Sequence, residues 1–187
     1  MKLFADELSN KINIYFWDED TDFYYHVDKN DNDFSYKNDN DLKIQEIGGL
    51  LPLWAGVASP TQAEKLVKNI FDTKKFWREY GIPSISADLP DYDGKANRCC
   101  KWNGPVWIQW NYLIFRGLID YGYYEKADEL AQKVFEAVRI QLKDSHNFYE
   151  LYSPDDDKNS SSKQYIWTGI ISRMMIDIQQ LKDEKKI

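Results

Sequence analysis

The apolar positions of this chain recur at helical spacing over most of its length. Phe4, Leu8 and Ile12 predict a first helix over residues 1–13 that begins with no capping residue before it, as though the chain enters in mid-element. Residues 14–28, IYFWDEDTDFYYHVD, alternate aromatic and polar positions around an acidic turn and predict a short hairpin or a pair of extended segments. Residues 28–43 have few apolar anchors and predict a solvated loop, after which the pattern turns helical again from residue 48. Ser59, Pro60 and Gln62 have the form of an N-cap, a first-position proline and a capping-box partner. They open a helix whose inward face is Ala63, Leu66, Val67, Ile70 and Phe71.

Residues 81–98 are punctuated by proline and glycine and predict a long ordered loop, a common place for binding residues. Gly104-Pro105 predicts the start of a helix carrying Trp107, Trp110, Ile114 and Leu118 and ending near Gly122. A second helix follows with Ala127, Leu130, Ala131, Val134, Phe135 and Val138 inward, and the short connection makes the two antiparallel neighbours. After a loop over 143–163, a last helix carries Ile166, Ile170, Ile171, Met174, Ile178 and Leu181. The expected architecture is an all-α single domain over 1–187, built of helical hairpins with long loops at one end.

Charge and cysteine usage remove several classes of function. With 24 Lys and Arg against 31 Asp and Glu, and no basic stripe, nucleic acid is excluded as a partner. No run of apolar residues is long enough to span a bilayer, and the first residues lack the apolar core of an export signal, so the chain reads as cytoplasmic with no membrane partner. Cys99 and Cys100 are adjacent, which suits neither a C-x-x-C metal site nor a redox pair, and they are expected as reduced thiols. His26 and His146 are the only histidines, too few for a histidine metal site or a serine triad. Asp28, Asn30 and Asn32 imitate the opening of a calcium loop, but Asp33 stands where that loop needs glycine; Asp155, Asp157 and Asn159 repeat the spacing without the glycine. Both are expected as solvated loops, and no metal or organic cofactor is expected. Asn159-Ser160-Ser161 fits a glycosylation acceptor of the kind that also occurs by chance.

What stands out is rings. Aromatic residues make up 16% of the chain, and KWNGPVWIQWNYL, residues 101–113, holds Trp102, Trp107 and Trp110 around one predicted helix start. Sugars present apolar C–H faces that stack on such rings while their hydroxyls take planar polar partners, so an exposed Trp beside a pocket makes a saccharide platform. Core packing is the competing reading for Trp107, which shares a stripe with Trp110 and Ile114; Trp102, ahead of the helix, is the better ligand candidate.

In order and spacing, GGLLPLWAGVASP (48–60), GIPSISADLPDYDG (81–94), KWNGPVWIQWNYLIFRGL (101–118) and NFYELYSP (147–154) resemble the C-terminal half of the catalytic domain of the mannosyl-oligosaccharide glucosidase family. That family includes bacterial α-glucosidases and mannosylglycerate hydrolases and is related to trehalases. The resemblance covers nearly the whole chain and implies part of an (α/α)6 toroid. It implies hydrolysis of an α-linked glucoside or mannoside with inversion, using an Asp as general acid and a Glu as general base and no cofactor. The Glu of the family's F-Y-E element matches Glu150; the Asp motif lies upstream of anything corresponding to residue 1 and has no counterpart here. Asp88, Asp91 and Asp93 are better read as turn-formers than as a substitute acid.

The matched segments add Trp54, Ser84, Asp88, Tyr92, Gly104, Asn111 and Tyr149 as candidates to bind or wall a carbohydrate substrate, beside Trp102 and Trp107. Arg98 is either a ligand for sugar hydroxyls or the partner of a loop aspartate. Two alternatives stay open: a saccharide-binding remnant without catalysis, and an inert fragment of a larger glucosidase. A partial toroid would leave apolar helix faces uncovered, so self-association or pairing with a missing N-terminal half is expected.

Overall fold

The computed structural model describes residues 2–30, 34–36, 40–157 and 161–187; the calcium-like positions Asn32 and Asp33 and the acceptor Asn159 lie outside them. The chain is predominantly helical, with α1 (Lys2–Tyr15), α2 (Pro60–Ile70), α3 (Ile108–Asp120), α4 (Tyr124–Ser145) and α5 (Ile171–Asp183). Between α1 and α2 lie two antiparallel two-stranded ribbons. The first pairs β1 (Trp17–Asp18) with β2 (Phe23–Tyr24); the second pairs β3 (Ser35–Tyr36) with β4 (Asn40–Asp41). The first ribbon is the hairpin expected over 14–28. The second corrects the solvated loop expected over 28–43, and Asp28 there is buried, its carboxylate accepting from the Asn30 backbone N–H at 2.9 Å as a turn-former.

Helices α3 and α4 form the hairpin the sequence predicts, joined through Tyr121–Tyr123 with Gly122 at φ 82°, and α5 packs against both. Their facing residues, among them Ile114, Phe115, Leu118, Leu130, Val134 and Met174, are fully buried. Each such side chain contributes about 1.5–3 kcal/mol relative to exposure. The capping box of α2 is present: Ser59 Oγ accepts from the Gln62 N–H, and Gln62 Oε1 accepts from the Ser59 N–H.

Four expectations are corrected. The chain from residue 48 up to α2 does not form an α-helix; a single 3-10 turn over Ile47–Leu50 gives way to turns. A Cβ on Gly49 would lie 2.3 Å from the Phe23 ring and the Tyr24 carbonyl, so β2 crosses the chain there too closely for a regular helix with side chains. Helix α3 starts at Ile108 instead of Gly104-Pro105, because residues 104–107 are drawn into extended pairing described below. Of the predicted α1 face only Ile12 packs; Phe4 is 72% and Leu8 48% exposed. The last element opens with a 3-10 turn, Ile166–Ile170, and Ile166 is 89% exposed.

Candidate active site

The segment 149–152 is extended and held from both sides. Val106 and Tyr152 exchange backbone hydrogen bonds of 2.8 and 3.0 Å, and the Glu150 N–H donates to the Ser162 carbonyl at 3.0 Å. Thr168 Oγ1 donates to the Tyr149 carbonyl at 2.6 Å and Trp167 Nε1 to the Glu150 carbonyl at 3.3 Å. Every neighbour of Glu150 is thus tied down, and this pairing is what delays α3: Val106 cannot serve a strand-like bridge and a helix at once.

Glu150 is only 2% exposed. Its carboxylate accepts from the Cys100 N–H at 3.3 Å and from Cys100 Sγ at 3.7 Å, both long for strong bonds. The Cys99 thiol and, after it, the Glu150 charge push the Cys100 thiol above its usual range. Around this corner stand the rings. Trp102 stacks on Trp107 with centroids 4.1 Å apart and planes at 10°, Trp110 meets Trp102 edge-on, and Trp167 lies against Trp107 on one side and Tyr165 on the other. Trp107 is buried, with Ala96 and Leu151, and donates Nε1 to the Lys101 carbonyl at 3.0 Å; Trp102 is 43% exposed. Of the two stacked rings, Trp107 packs into the core and Trp102 faces outward.

The other candidates separate into three groups. Ser84 and Gly104 build the turn that carries Trp102 and Trp107. Ser84 Oγ accepts from the Gly104 N–H at 2.9 Å, and Gly104, at φ 150°, passes so close to Asp93 that a Cβ would lie 2.3 Å from its carbonyl oxygen. Beneath them, Asn111 clamps Ile82, accepting from its N–H at 2.8 Å and donating to its carbonyl at 2.9 Å. Tyr92 belongs to a latch. Its hydroxyl meets Asp155 Oδ2 at 2.5 Å, while Arg78 Nε meets Asp155 Oδ1 at 2.6 Å, so Asp155 is an anchor and not the free loop carboxylate its sequence suggests. Burial, then Asp155, raises the Tyr92 hydroxyl far above its usual range, so it stays protonated. Asp93 pairs with buried Lys101 at 2.5 Å and caps the Lys95 N–H; these bonds lower its carboxyl. Asp88 is exposed and accepts from Ser86 Oγ at 2.7 Å.

Three candidates lie apart from Glu150 or add nothing to its corner. Tyr149 turns its ring into the main core against Tyr152. Arg98 is exposed, and of the loop aspartates Asp93 pairs with Lys101 and Asp88 with Ser86, while Asp91 is exposed like Arg98 itself. Trp54 packs its backbone over Gly117, about 15 Å along α3 from Trp107 at ~1.5 Å per residue, and faces a groove of about 740 Å³ shared with Leu8, Ile12 and Phe16 of the α1 region. Sequence reasoning missed Cys100, Lys101 and Trp167. Only the ring of Trp167 offered a signal, and it lay outside the matched segments.

The arrangement is an immobilised, buried carboxylate beside an exposed Trp face, a combination suited to deprotonating a water next to a stacked apolar ring face. Among solved structures, a mannosylglycerate hydrolase from Thermus thermophilus in complex with glucose superimposes with a TM-score of 0.71 at 22% identity, over 90% of this chain and 38% of that one. The fold is therefore that of the helical hairpins of an (α/α)6 toroid, represented in part. The mannosylglycerate hydrolase MGH1 of Selaginella moellendorffii is 31% identical over 124 residues, 65% of this chain and 23% of that protein. A probable mannosyl-oligosaccharide glucosidase of Schizosaccharomyces pombe is 29% identical over 67% of this chain and 17% of its own length. The chain thus spans between about 15% and 34% of the length of the curated relatives it matches. The family model described as the mannosylglycerate hydrolase MGH1-like glycoside hydrolase domain matches residues 3–168, and the chain belongs to that family.

Proposed function

We propose that this chain is the C-terminal portion of the catalytic domain of an inverting glycoside hydrolase for α-linked sugars, an α-glucoside or an α-mannoside, with Glu150 as general base. The observation that carries the reading is the 2% exposure of Glu150 in a ring-lined corner, held by backbone bonds on both sides. A buried carboxylate whose side-chain bonds among the described residues are two long ones to Cys100 has lone pairs left for a water, and Trp102 supplies the face on which a sugar stacks. The names of the relatives, mannosylglycerate hydrolase and mannosyl-oligosaccharide glucosidase, support the substrate class.

Inversion needs a second carboxyl about 6.5–9.5 Å from the first to protonate the leaving oxygen. Among the loop aspartates Asp93 is paired with Lys101, Asp88 accepts from Ser86 and Asp91 is an exposed turn residue; the acid of this reading is the family's Asp, whose motif has no counterpart in this sequence. The apolar outer face of α1 and that of α5, with Met175 and Ile176 exposed, are the edges on which the rest of the toroid, or a second copy, would close. A cytoplasmic location belongs to the same reading, with the exposed free thiols Cys99 and Cys100 in its support. Among the described residues no helix is long and apolar enough to cross a membrane.

Hydrolysis of a panel of α-glucosides and α-mannosides should be measured for the chain alone and for the chain joined to the preceding part of its domain. The expected result is activity only in the joined form, reduced about 100- to 10,000-fold in kcat by Glu150→Gln. Undiminished activity in that variant would remove Glu150 from the base role. A second reading, a saccharide-binding remnant, is favoured by the lack of the family's Asp motif in this sequence; it requires that a folded, joined protein bind sugars without cleaving them.

A further inference from the structure

Cys99 and Cys100 are not spent on a disulfide; both are free and exposed. Cys100 takes a left-handed backbone, φ 57°, which few residues without special need adopt. At this turn the two sulfurs and a carboxylate oxygen of Glu150 all lie within 4.8 Å of one another. The carboxylate itself is buried, and among the described residues its side-chain bonds are two long ones, both to Cys100. The corner therefore presents two soft donors on its solvent side and one fixed oxygen donor beneath them.

Two thiolates and one carboxylate are the donor set that selects zinc or cadmium over calcium and magnesium. With bonds of ~2.3 Å to sulfur, ligand atoms around a tetrahedral ion lie about 3.8 Å apart, so small rotations of the exposed thiol side chains would close the site. A fourth position would remain open towards solvent.

We infer that Cys99, Cys100 and Glu150 form a binding site for one soft divalent cation, zinc or cadmium, and that occupation withdraws Glu150 from base chemistry and so inhibits the enzyme. Binding replaces two S–H bonds by two metal–sulfur bonds and releases two protons to solvent, with no change in oxidation state. The metal site stands on geometry alone; its inhibitory consequence rests on the base role proposed for Glu150. Cadmium alone titrated into the full chain, followed by calorimetry and by thiolate-to-metal charge-transfer absorption, tests the site without reference to activity.

One cadmium per chain is expected, with Cys99→Ser, Cys100→Ser and Glu150→Gln each weakening binding by more than the ~10-fold that loss of an outer-shell partner costs. X-ray absorption of the wild-type complex should show two sulfurs and a carboxylate, a result independent of whether the Glu150 variant folds. Failure of stoichiometric binding, or a metal held by two sulfurs and water alone, would overturn the site. Cadmium binding that leaves hydrolysis by the joined enzyme untouched would overturn the inhibitory role. Loss of hydrolysis in Glu150→Gln bears only on the base reading, so the two failures are separable.

Discussion

The corner around Glu150 and the outer surface of α1 are both rich in large apolar side chains, but they are finished to different degrees. At the corner each ring has a partner: Trp102 lies on Trp107, Trp110 meets Trp102, and Trp167 meets Trp107 and Tyr165. On α1, Leu3, Phe4 and Ile14 face outward, and the helix is anchored near its end by Asn13, which donates to the Val57 carbonyl at 2.9 Å and accepts from the Tyr24 hydroxyl at 2.5 Å. The contrast teaches that the site half of the molecule carries its own packing, whereas among the described residues nothing covers the outer apolar face of α1.

The sharpest break of that comparison is between two phenylalanines. Phe115→Ala, in the fully buried core of α3, should cost about 3–5 kcal/mol. Phe4→Ala should stay within about 0.5 kcal/mol. Urea denaturation measures both, and a comparable loss at Phe4 would mean that α1 is part of the core after all. Next in size, Asn111→Leu removes the clamp on Ile82 and strands a buried N–H and carbonyl, for a loss of about 2–3 kcal/mol by the same measurement. A loss near zero would show that the loop carrying Ser84 holds its place without it.

A smaller effect is set by pH. Burial opposes ionisation of Asp18, but hydrogen bonds from Lys43 and Thr21 outweigh it and hold the carboxyl below its usual range. Its contribution is therefore fully present above the unfolded value, about 3.9, and is lost as pH falls through the lower folded value. Urea midpoints across that range should show Asp18→Asn less stable than wild type at neutral pH and the gap closing in acid; a gap that widens in acid would reverse the assignment. The smallest change in stability, and the clearest change in association, is expected for Phe4→Ser combined with Leu8→Ser. Light scattering should show self-association weakened with the urea midpoint unmoved. A wild-type chain that is monodisperse and monomeric at all concentrations would instead count against open toroid edges.

Much of this fold is legible in the residue pattern. The capping box at Ser59, the α3–α4 hairpin and the buried stripe Ile171, Met174, Ile178 and Leu181 of α5 all follow from local rules that tertiary contacts reinforce. The misreadings fall where distant chain segments compete for the same backbone. Gly104-Pro105 is a sound helix start by local chemistry, yet Tyr152 takes Val106 into a bridge and Ser84 takes Gly104, so α3 begins at Ile108. The pattern from residue 48 reads as helical, yet the Phe23 ring and Tyr24 carbonyl press against Gly49.

The candidate site divides in the same way. Glu150 and Trp102 stand out as candidates from motif and ring chemistry, because a carboxylate and an indole carry their chemistry in their own atoms. Which matched residues stand beside Glu150 was not, since that depends on chain crossings remote in sequence: Ser84 and Tyr92 brace the loops, Tyr149 turns into the core, and Trp54 lies along α3 on another surface. The sequence by itself determined the helical period, the caps and the kinds of chemistry on offer. Only the tertiary structure brought Cys99 and Cys100 to Glu150 across fifty positions of chain, because a hydrogen bond between such segments is a property of packing and leaves no local pattern to read.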